Sequence, residues 1–223
     1  MKPSRLVFVT GGTGYMGRRV IPVLLARGHR VRALVREGSQ AKLSSGCEAV
    51  VGNALDEKIF ASRVAPADTF LQLIGVAHPS PAKAAEFRAV DLASAKASAR
   101  AAVAGGVAHF VYVSVAQPAP VMKAYVEARA EGEAAIRAAG LNATFVRPWY
   151  VLGPGHRWPY FFLPVYWLLQ LFPPSRGTAR RLYPVTLKQM IATLVAAVEE
   201  PATGVRIVET PEIRRTRARR LSE

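Results

Sequence analysis

A glycine-rich turn near the start of the chain is the first feature whose residue types could do chemistry. It lies between an apolar run that ends at Thr10 and a helix-like stretch that begins at Tyr15. Glycine permits a tight turn and close approach of a ligand to the backbone, and a helix start offers free N–H groups. We therefore predict a phosphate-binding turn for a dinucleotide, formed by Thr10, Gly11, Gly12, Thr13, Gly14, Tyr15, Met16 and Gly17.

The end of the second apolar run bears on which dinucleotide binds. An acidic residue at this place binds the ribose hydroxyls of NAD, whereas a cation accommodates the additional phosphate of NADP. The run ends in Leu34-Val35-Arg36, and a guanidinium matches phosphate geometry well. We therefore predict NADP with Arg36 as its ligand, and the further candidates are Ser39, Arg18 and Arg32. If the register differs by one residue, Glu37 becomes the ribose ligand and NAD is preferred.

Short apolar runs that alternate with helix-like stretches would position these residues. We place strands at Arg5–Thr10, Arg30–Arg36, Ala49–Gly52, Thr69–Ile74, His109–Ser114, Ala143–Arg147 and Arg206–Glu209. Most are nearly continuous runs of Val, Leu, Ile or Phe, which is typical of strands buried on both faces. Helical spacing of apolar residues predicts helices over Tyr15–Arg27, Pro81–Ala104, Ala124–Ala139 and Leu187–Glu199. The alternation predicts the α/β class with a Rossmann-type doubly wound parallel sheet.

The composition excludes several classes of protein. A chain of 223 residues with 51% hydrophobic residues can form one sizeable core, so it is neither disordered nor fibrous. The single cysteine, Cys47, cannot form an internal disulfide or supply a cysteine-based metal site. The four histidines lack metal-ligand spacing, so no metal site is predicted, and only His78 lies in a loop that could face a substrate.

The net charge of +15 is unusually high and indicates either an anionic binding partner or a general preference for arginine in the proteome. The segment Glu212–Glu223 holds five Arg and two Glu, so most of the excess belongs to the rest of the chain. Such a field favours phosphorylated ligands, nucleic acid or an anionic membrane surface, and an Arg-rich proteome is the alternative explanation. Because the sequence contains no helix-turn-helix, zinc or RNA-recognition motif, we expect no specific nucleic-acid binding.

Further motifs along the chain are similar to those of a known protein family. The segment Phe110-Val111-Tyr112-Val113-Ser114, then Tyr125 and Arg147-Pro148, accompany the glycine turn and Arg36. With these motifs the chain resembles the short-chain dehydrogenase/reductase (SDR) superfamily from Leu6 to about Ile213. The resemblance is closest to small atypical members, which include NmrA-type regulators, flavin-reductase-like proteins and the nucleotide-binding accessory subunit of respiratory complex I.

The resemblance implies how the dinucleotide would lie. It places Gly11, Gly14 and Gly17 at the pyrophosphate and Asn53 and Ala54 near the adenine. It also implies cofactor contacts beside the ribose and the nicotinamide, at Ile74, Gly75, Arg147 and Pro148. The family has a polar residue at position 91, and we expect Asp91 to anchor its helix to neighbouring backbone.

The catalytic unit of the family is a serine at the end of the fifth strand with Tyr-x-x-x-Lys on the next helix. A cation one helical turn away favours the phenolate, so that tyrosine can act as acid or base near neutral pH. Ser114 and Tyr125 match this pattern, but Arg129 stands in place of the lysine. Arginine supplies positive charge yet stays protonated and cannot relay a proton.

Two hypotheses on function follow. The first is an oxidoreductase with Ser114, Tyr125 and Arg129 as its catalytic residues. The second is a catalytically silent dinucleotide-binding protein that serves redox sensing, regulation or assembly with a membrane complex.

An aromatic apolar stretch, Trp158–Phe172, is too short and too rich in proline to span a bilayer. Three interpretations remain: the wall or lid of an apolar substrate pocket, an ordinary packed helix, or an interfacial segment with nearby arginines at the lipid headgroups. The first is favoured because ligand pockets are typically apolar and aromatic. It predicts a lipophilic substrate, such as a quinone-like, isoprenoid or steroid-like compound.

The organisation of the chain follows from these motifs. We predict a dinucleotide-binding core over residues 1–150, a small substrate or lid lobe over 151–213 that completes the same fold, and a basic flexible tail over 214–223. Met1–Arg5 carries no apolar leader, which predicts a cytoplasmic protein, with peripheral contact at the inner face of a membrane as an alternative.

Overall fold

The central sheet is built from the apolar runs of the sequence. The computed structural model describes residues 3–155, 168 and 173–216. Strands within this part are β1 Leu6–Thr10, β2 Arg30–Val35, β3 Glu48–Val51, β4 Thr69–Gln72, β5 His109–Val113, β6 Ala143–Arg147, β7 Val151–Leu152, β8 Val185–Thr186 and β9 Val205–Glu209. Among the described residues, seven strands form one sheet in the order β3-β2-β1-β4-β5-β6-β9, and every neighbouring pair is parallel.

Helices cover both faces of this sheet. The helices of the described part are α1 Gly17–Ala26, α2 Glu57–Phe60, α3 Ala84–Glu86, α4 Ala93–Ala104, α5 Lys123–Ala138, α6 Pro173–Arg181, α7 Leu187–Glu199 and α8 Thr210–Arg215. A π-helical turn, Phe87–Leu92, joins α3 to α4, and short 3₁₀ helices span Gln40–Lys42, Ala61–Arg63 and Pro81–Lys83. The predicted Rossmann-type doubly wound fold is confirmed.

The strand order creates a crevice at one end of the sheet. The chain moves outward from β1 to β3 and then returns to the other side of β1 as β4. The loops after β1 and β4 therefore diverge at the carboxyl ends of neighbouring strands, which is where open α/β sheets bind ligands.

Burial on both faces explains why the central strands form. All five residues of β1 and of β5 are buried. Alternate side chains point to opposite faces, so Val7 and Val9 pack with α1 and α7 while Phe8 lies in the other core. On that second face the ring of Phe70 lies 5.2 Å from Phe8 and 5.1 Å from Phe110, between ring centroids.

The structure adds detail that hydrophobic patterning lacks. Residues 36, 52 and 114, which we predicted to end strands, lie just beyond β2, β3 and β5. The predicted helix Pro81–Ala104 consists of a 3₁₀ turn, α3, the π-helical turn and α4 in succession. The sequence pattern missed α2, α6, α8 and the separate parallel pair β7 and β8. These are short elements, which carry too few residues for a reliable period.

The chain after residue 150 contributes to the main sheet. Strand β9 pairs with β6, and α7 packs its apolar face into the core beside α1. Arg214 and Arg215 lie in α8, so the predicted flexible tail does not start at residue 214. The buried side chain of Ile213 holds this helix in place, the Arg214 guanidinium stacks 4.0 Å from the Tyr183 ring centroid, and Gln189 Nε2 donates to the Arg214 carbonyl.

The first residue of β5 is a buried histidine, His109, and it makes the stability of the protein depend on pH. His109 is fully buried, and its Nε2 lies 3.0 Å from Thr144 Oγ1 on β6. Burial, together with the nearby positive charges of Arg206 and Arg5, lowers the pKa of His109 to about 4. The folded protein therefore keeps this imidazole neutral at pH values at which an unfolded chain would protonate it.

We expect the protein to lose stability as the pH falls from about 6.5 towards 4, because the unfolded state then binds a proton that the folded state excludes. Between pH 7 and pH 5 this one group should lower the free energy of unfolding by about 2 kcal/mol. Urea unfolding of the wild type and of His109→Gln at both pH values measures the effect. Equal losses in the two proteins would remove His109 as the cause.

Candidate functional site

A cleft of about 580 Å³ opens at the carboxyl ends of the central strands, in the crevice that the strand order creates. It brings together most of the site residues that we predicted. Those that line it are Gly11, Thr13, Gly14, Tyr15, Met16, Arg36, Asn53, Ala54, Ile74, Gly75, Ser114, Tyr125, Arg129 and Pro148. Its volume lies in the range of cofactor and ligand sites. The structure does not place Thr10, Gly12, Gly17 or Arg147 in the lining.

The glycine turn has the geometry of a backbone cradle. Gly11 has a φ of +77°, and a Cβ there would lie 3.0 Å from the carbonyl carbon of Leu73. Among the residues that the structure describes, no side chain caps the N-terminus of α1, and the first turn of this helix holds no acidic residue. The N–H groups of Arg18, Arg19 and Val20 donate to the carbonyls of Gly14 and Met16. The backbone of the turn itself, which lies at the positive end of the helix dipole, could therefore hold an anion such as a pyrophosphate.

Three predicted residues of this turn, Thr10, Gly12 and Gly17, do not line the cleft but pack beneath the turn and hold its backbone in place. Thr10 is fully buried, and its Oγ1 donates to Gln72 Oε1. A Cβ at Gly12 would lie 3.0 Å from the Ala33 side chain, so this residue packs against β2. A Cβ at Gly17 would overlap the carbonyl oxygens of Gly11 and Gly12, so glycine there lets α1 start directly beneath the turn.

Arg147 departs from its predicted place in the cofactor site. Its Nε and Nη2 donate to the two carboxylate oxygens of Glu133 at 2.8 and 2.6 Å, and its Nη1 donates to Glu209 Oε1 at 3.0 Å. The two carboxylates hold the guanidinium between α5 and β9, which keeps it out of the cleft lining. The sequence does not show that Glu133 is buried, because a charged residue in a helix can face either water or the core.

The far end of the cleft contains Arg36, Asn53 and Ala54. Arg36 is exposed there, whereas Glu37 is not among the lining residues. The other cationic candidates are engaged elsewhere. Arg32 Nε pairs with Glu48 Oε1 at 2.9 Å, and Arg18 Nε donates to the Thr13 carbonyl at 2.7 Å. We considered three cations as ligands of a 2′-phosphate. Among these described residues, Arg36 lines the cleft and Arg18 and Arg32 do not.

The opposite end of the cleft contains a hydroxyl, a phenol and a guanidinium. Ser114 follows β5 and is buried, and its Oγ has no hydrogen-bond partner among the described residues. Tyr125 is half-buried on α5 and packs on Phe87, with 5.0 Å between the ring centroids. Arg129 lies one turn later on α5, with its Cζ 5.3 Å from the Tyr125 ring centroid. The three groups are those that could bind and protonate a substrate oxygen.

A second tyrosine nearby differs in its surroundings. Tyr112 lies within β5, is fully buried and does not line the cleft. Burial raises the pKa of Tyr112 to about 12, so its phenol stays protonated. Tyr125 is therefore the tyrosine of this pair that could exchange a proton with a ligand in the cleft.

Arg129 is held by groups that sequence analysis did not connect to it. Its Nη2 lies 2.7 Å from Asp91 Oδ1, and its Nη1 donates to the Val113 carbonyl at 2.7 Å. Burial alone would lower the pKa of Arg129, but Tyr125, Tyr112 and Asp91 together raise it above its ordinary value. Burial raises the pKa of Asp91, and the adjacent Arg129 opposes this change.

Asp91 also connects to a buried network. Its Oδ2 accepts from the Val76 backbone N–H at 3.0 Å, which confirms the predicted anchor to neighbouring backbone. Ser94 Oγ donates to the Asp91 carbonyl, and Gln72 Nε2 donates to Ser94 Oγ. Gln72 was missed because a glutamine in an apolar run carries no chemical motif. The network joins the loop after β4 to the π-helical turn.

Other sequence predictions lie away from this cleft. His78 does not line it. Apart from Leu168, the aromatic stretch Trp158–Phe172 lies outside the described residues. Within the described ranges, no helix combines the length and apolarity needed to cross a membrane. No cluster of three metal-ligating His, Cys, Asp or Glu side chains occurs in the same part of the chain.

The fold and the cleft define a nicotinamide-dinucleotide-binding protein of the Rossmann type. Residues 11–156, more than half of the chain, match the family described as NAD(P)H-binding. The chain belongs to this family, and the match supports the resemblance to atypical SDR members that the sequence motifs predicted.

Two curated relatives and one solved structure are similar to the chain. Ceramide reductase of Caulobacter vibrioides is 28% identical over 214 residues, which cover 94% of this chain and 65% of that protein. A 3-beta-hydroxysteroid dehydrogenase of Mycolicibacterium neoaurum is 31% identical over 114 residues, 48% of this chain and 31% of the relative. The chain therefore spans less than two thirds of these curated relatives. The Bordetella bronchiseptica enzyme WbmH in complex with NAD⁺ shares the fold, with a TM-score of 0.68, 19% identity and coverage of 92% and 75%.

Proposed function

We propose that the protein is an NADP(H)-dependent oxidoreductase that acts on a carbonyl or hydroxyl group of a lipophilic compound. The observation that carries this proposal is that one continuous cleft contains both the glycine turn and the side chains of Ser114 and Tyr125. A dinucleotide held by the turn would reach the end of the cleft that contains these two hydroxyl groups.

The proposed cofactor contacts follow the cleft from end to end. The backbone of Gly11 to Met16 binds the pyrophosphate, Asn53 and Ala54 lie at the adenine, and Ile74, Gly75 and Pro148 lie along the ribose and nicotinamide. When bound, the nicotinamide donates or accepts a hydride at carbon. In the reductive direction, Tyr125 donates its phenolic proton to the carbonyl oxygen, and the Ser114 hydroxyl orients that oxygen by a hydrogen bond. In the oxidative direction, Tyr125 accepts the proton.

Two observations support a lipophilic substrate. Many of the side chains that line the cleft are apolar, and one of them, Val76, packs on the same apolar cluster as Tyr125. The others include Leu73, Ala77, Val90, Val113, Trp149 and Val151. The names of two relatives refer to ceramide and to a hydroxysteroid, both of which are lipophilic. A screen of hydrophobic ketones, aldehydes and quinones, followed by the loss of NADPH absorbance, tests the activity.

The preference for NADP is expected to depend on Arg36. NADPH should raise the melting temperature more than NADH at equal concentration, because the guanidinium pairs with the additional phosphate. Replacing Arg36 with Ala should weaken NADPH binding by roughly 10-fold to 100-fold and leave NADH binding unchanged, since hydrogen bonds to charged groups contribute about 1.5–3 kcal/mol. Calorimetric titration of both nucleotides measures this difference.

Arg30→Ala is the matched control, since Arg30 is an exposed arginine at the opposite end of β2. It should leave the preference intact. A larger shift with NADH in the unmodified protein would transfer the role to Glu37 and make NAD the cofactor.

A catalytically silent dinucleotide-binding protein is the second candidate. One observation favours it: the position of the relay lysine in the family holds Arg129, whose guanidinium is committed to Asp91 and to the Val113 carbonyl. In that case the bound dinucleotide serves sensing, regulation or assembly. Clear NADPH binding without turnover of any compound in the screen would favour this candidate.

A further inference from the structure

The guanidinium of Arg129 connects three separate segments at the catalytic end of the cleft. It bonds to the Val113 carbonyl at the end of β5 and to Asp91 in the π-helical turn. Asp91 in turn accepts from the Val76 backbone N–H, in the loop after β4. The Arg129 and Asp91 side chains are only 5% and 0% exposed, so water does not weaken this ion pair.

The guanidinium occupies space that a side chain at residue 75 would need. A Cβ at Gly75 would overlap Arg129 Nη2, and it would lie 3.3 Å from both Arg129 Cζ and Asp91 Oδ1. Lysine ends in a single nitrogen and has no second arm that would reach this position. The glycine is therefore matched to an arginine at position 129.

We propose that Asp91 and Gly75 form a fixed seat for the Arg129 guanidinium, which makes Asp91 a positioning residue of the catalytic end of the cleft. The seat holds a permanent positive charge beside the Tyr125 ring and fixes the spacing between Gly75 and Ser114. Because arginine does not release its proton, Tyr125 exchanges protons with substrate or water and not through residue 129. This inference deepens the proposed oxidoreductase function and rests on it for its catalytic part only.

The seat is tested first without any measurement of activity. Gly75→Ala should lower the melting temperature of the wild type by about 5 °C or more, because the added methyl group displaces the guanidinium. The same substitution in the Arg129→Lys protein should lower it by less than about 2 °C, because the overlapping arm is absent. Thermal unfolding of the four proteins without nucleotide completes a double-mutant cycle.

A strong coupling between positions 75 and 129 supports the seat even if no substrate is ever found. Equal losses from Gly75→Ala in both backgrounds would overturn it. This result is independent of turnover, so a failure of the proposed enzymatic function is distinguishable from a failure of the seat.

The positioning role is tested with a substrate from the screen. Asp91→Asn keeps an oxygen for the Val76 N–H but removes the negative charge that faces Arg129. We expect kcat to fall by at least about tenfold, since small displacements of catalytic groups carry large rate effects. The KM for NADPH should change by less than about threefold, because the glycine turn is untouched.

The exposed pair Arg88 and Glu131 provides a matched control. It joins the same two elements, the π-helical turn and α5, at 2.8 Å, but its side chains are 61% and 42% exposed. Arg88→Gln should leave both kcat and the melting temperature nearly unchanged, as expected for a surface ion pair. A kcat of folded Asp91→Asn within twofold of the wild type would show that Asp91 does not position the site. If Asp91→Asn does not fold, the cycle at positions 75 and 129 decides the proposal.

Discussion

Replacing Tyr125 with Phe is expected to lower turnover by at least about a hundredfold while NADPH binding survives. The substitution removes the phenol that, of the residues the structure describes, lines the catalytic end of the cleft, and it keeps the ring that packs on Phe87. General acid and base groups typically contribute about 10²-fold to 10⁴-fold, so the lower limit of this range sets the expectation. Steady-state kinetics with a compound from the screen, together with an NADPH titration, measure both quantities.

Tyr183→Phe is a suitable control, because Tyr183 is a half-buried tyrosine that does not line the cleft. Its turnover should equal that of the wild type. Undiminished turnover of Tyr125→Phe would assign the proton transfer to another residue without affecting the fold or the dinucleotide site.

Replacing Arg147 with Met is expected to lower the free energy of unfolding by about 3–5 kcal/mol. Glu133 is 1% exposed, and loss of its bidentate partner leaves the buried carboxylate with only a neutral amide, Gln117 Nε2 at 3.0 Å, and the more exposed Arg137 as partners among the described residues. Breaking one side of a buried ion pair typically has an effect of about this size. The affinity for NADPH should stay the same, because the Arg147 guanidinium lies outside the cleft lining. Urea unfolding and nucleotide titration test the two parts of this prediction.

Arg137 offers a matched control on the same carboxylate. Its Nη1 lies 3.3 Å from Glu133 Oε2, but its side chain is 40% exposed, compared with 13% for Arg147. Arg137→Met should lower stability by less than about 1 kcal/mol. If Arg147→Met instead bound NADPH more weakly and kept the stability of the wild type, Arg147 would be a cofactor ligand as the sequence predicted.

The strands and the glycine turn could be predicted because their signals are local. A run such as Leu6–Thr10 is buried on both faces, so its composition alone indicates a central strand. The turn after it follows from the spacing of a few glycines within one segment. The positions of Arg36 and Tyr125 at opposite ends of one cleft follow from the strand order that these local signals imply.

The ion pairs of Arg129 and Arg147 could not be predicted in the same way. Asp91 and Arg129 are 38 residues apart, and nothing in either segment specifies the other. Whether a charged side chain on a helix faces water or the core depends on how its neighbours pack. For this reason Arg147 and Glu133 were not recognised as partners, although each lies in an element that was predicted.

The contact between Gly75 and Arg129 restricts the order in which substitutions could accumulate at this cleft. A Cβ at position 75 would overlap the guanidinium where it now lies. A lysine at position 129 lacks the overlapping arm, so on the proposed seat it is compatible with either glycine or alanine at position 75. A mutational path from a form with lysine at position 129 and alanine at position 75 therefore avoids the less stable combination of alanine and arginine if it acquires the glycine first and the arginine second. In the reverse direction arginine must be lost before residue 75 can gain a side chain, so the two positions are expected to show strong epistasis.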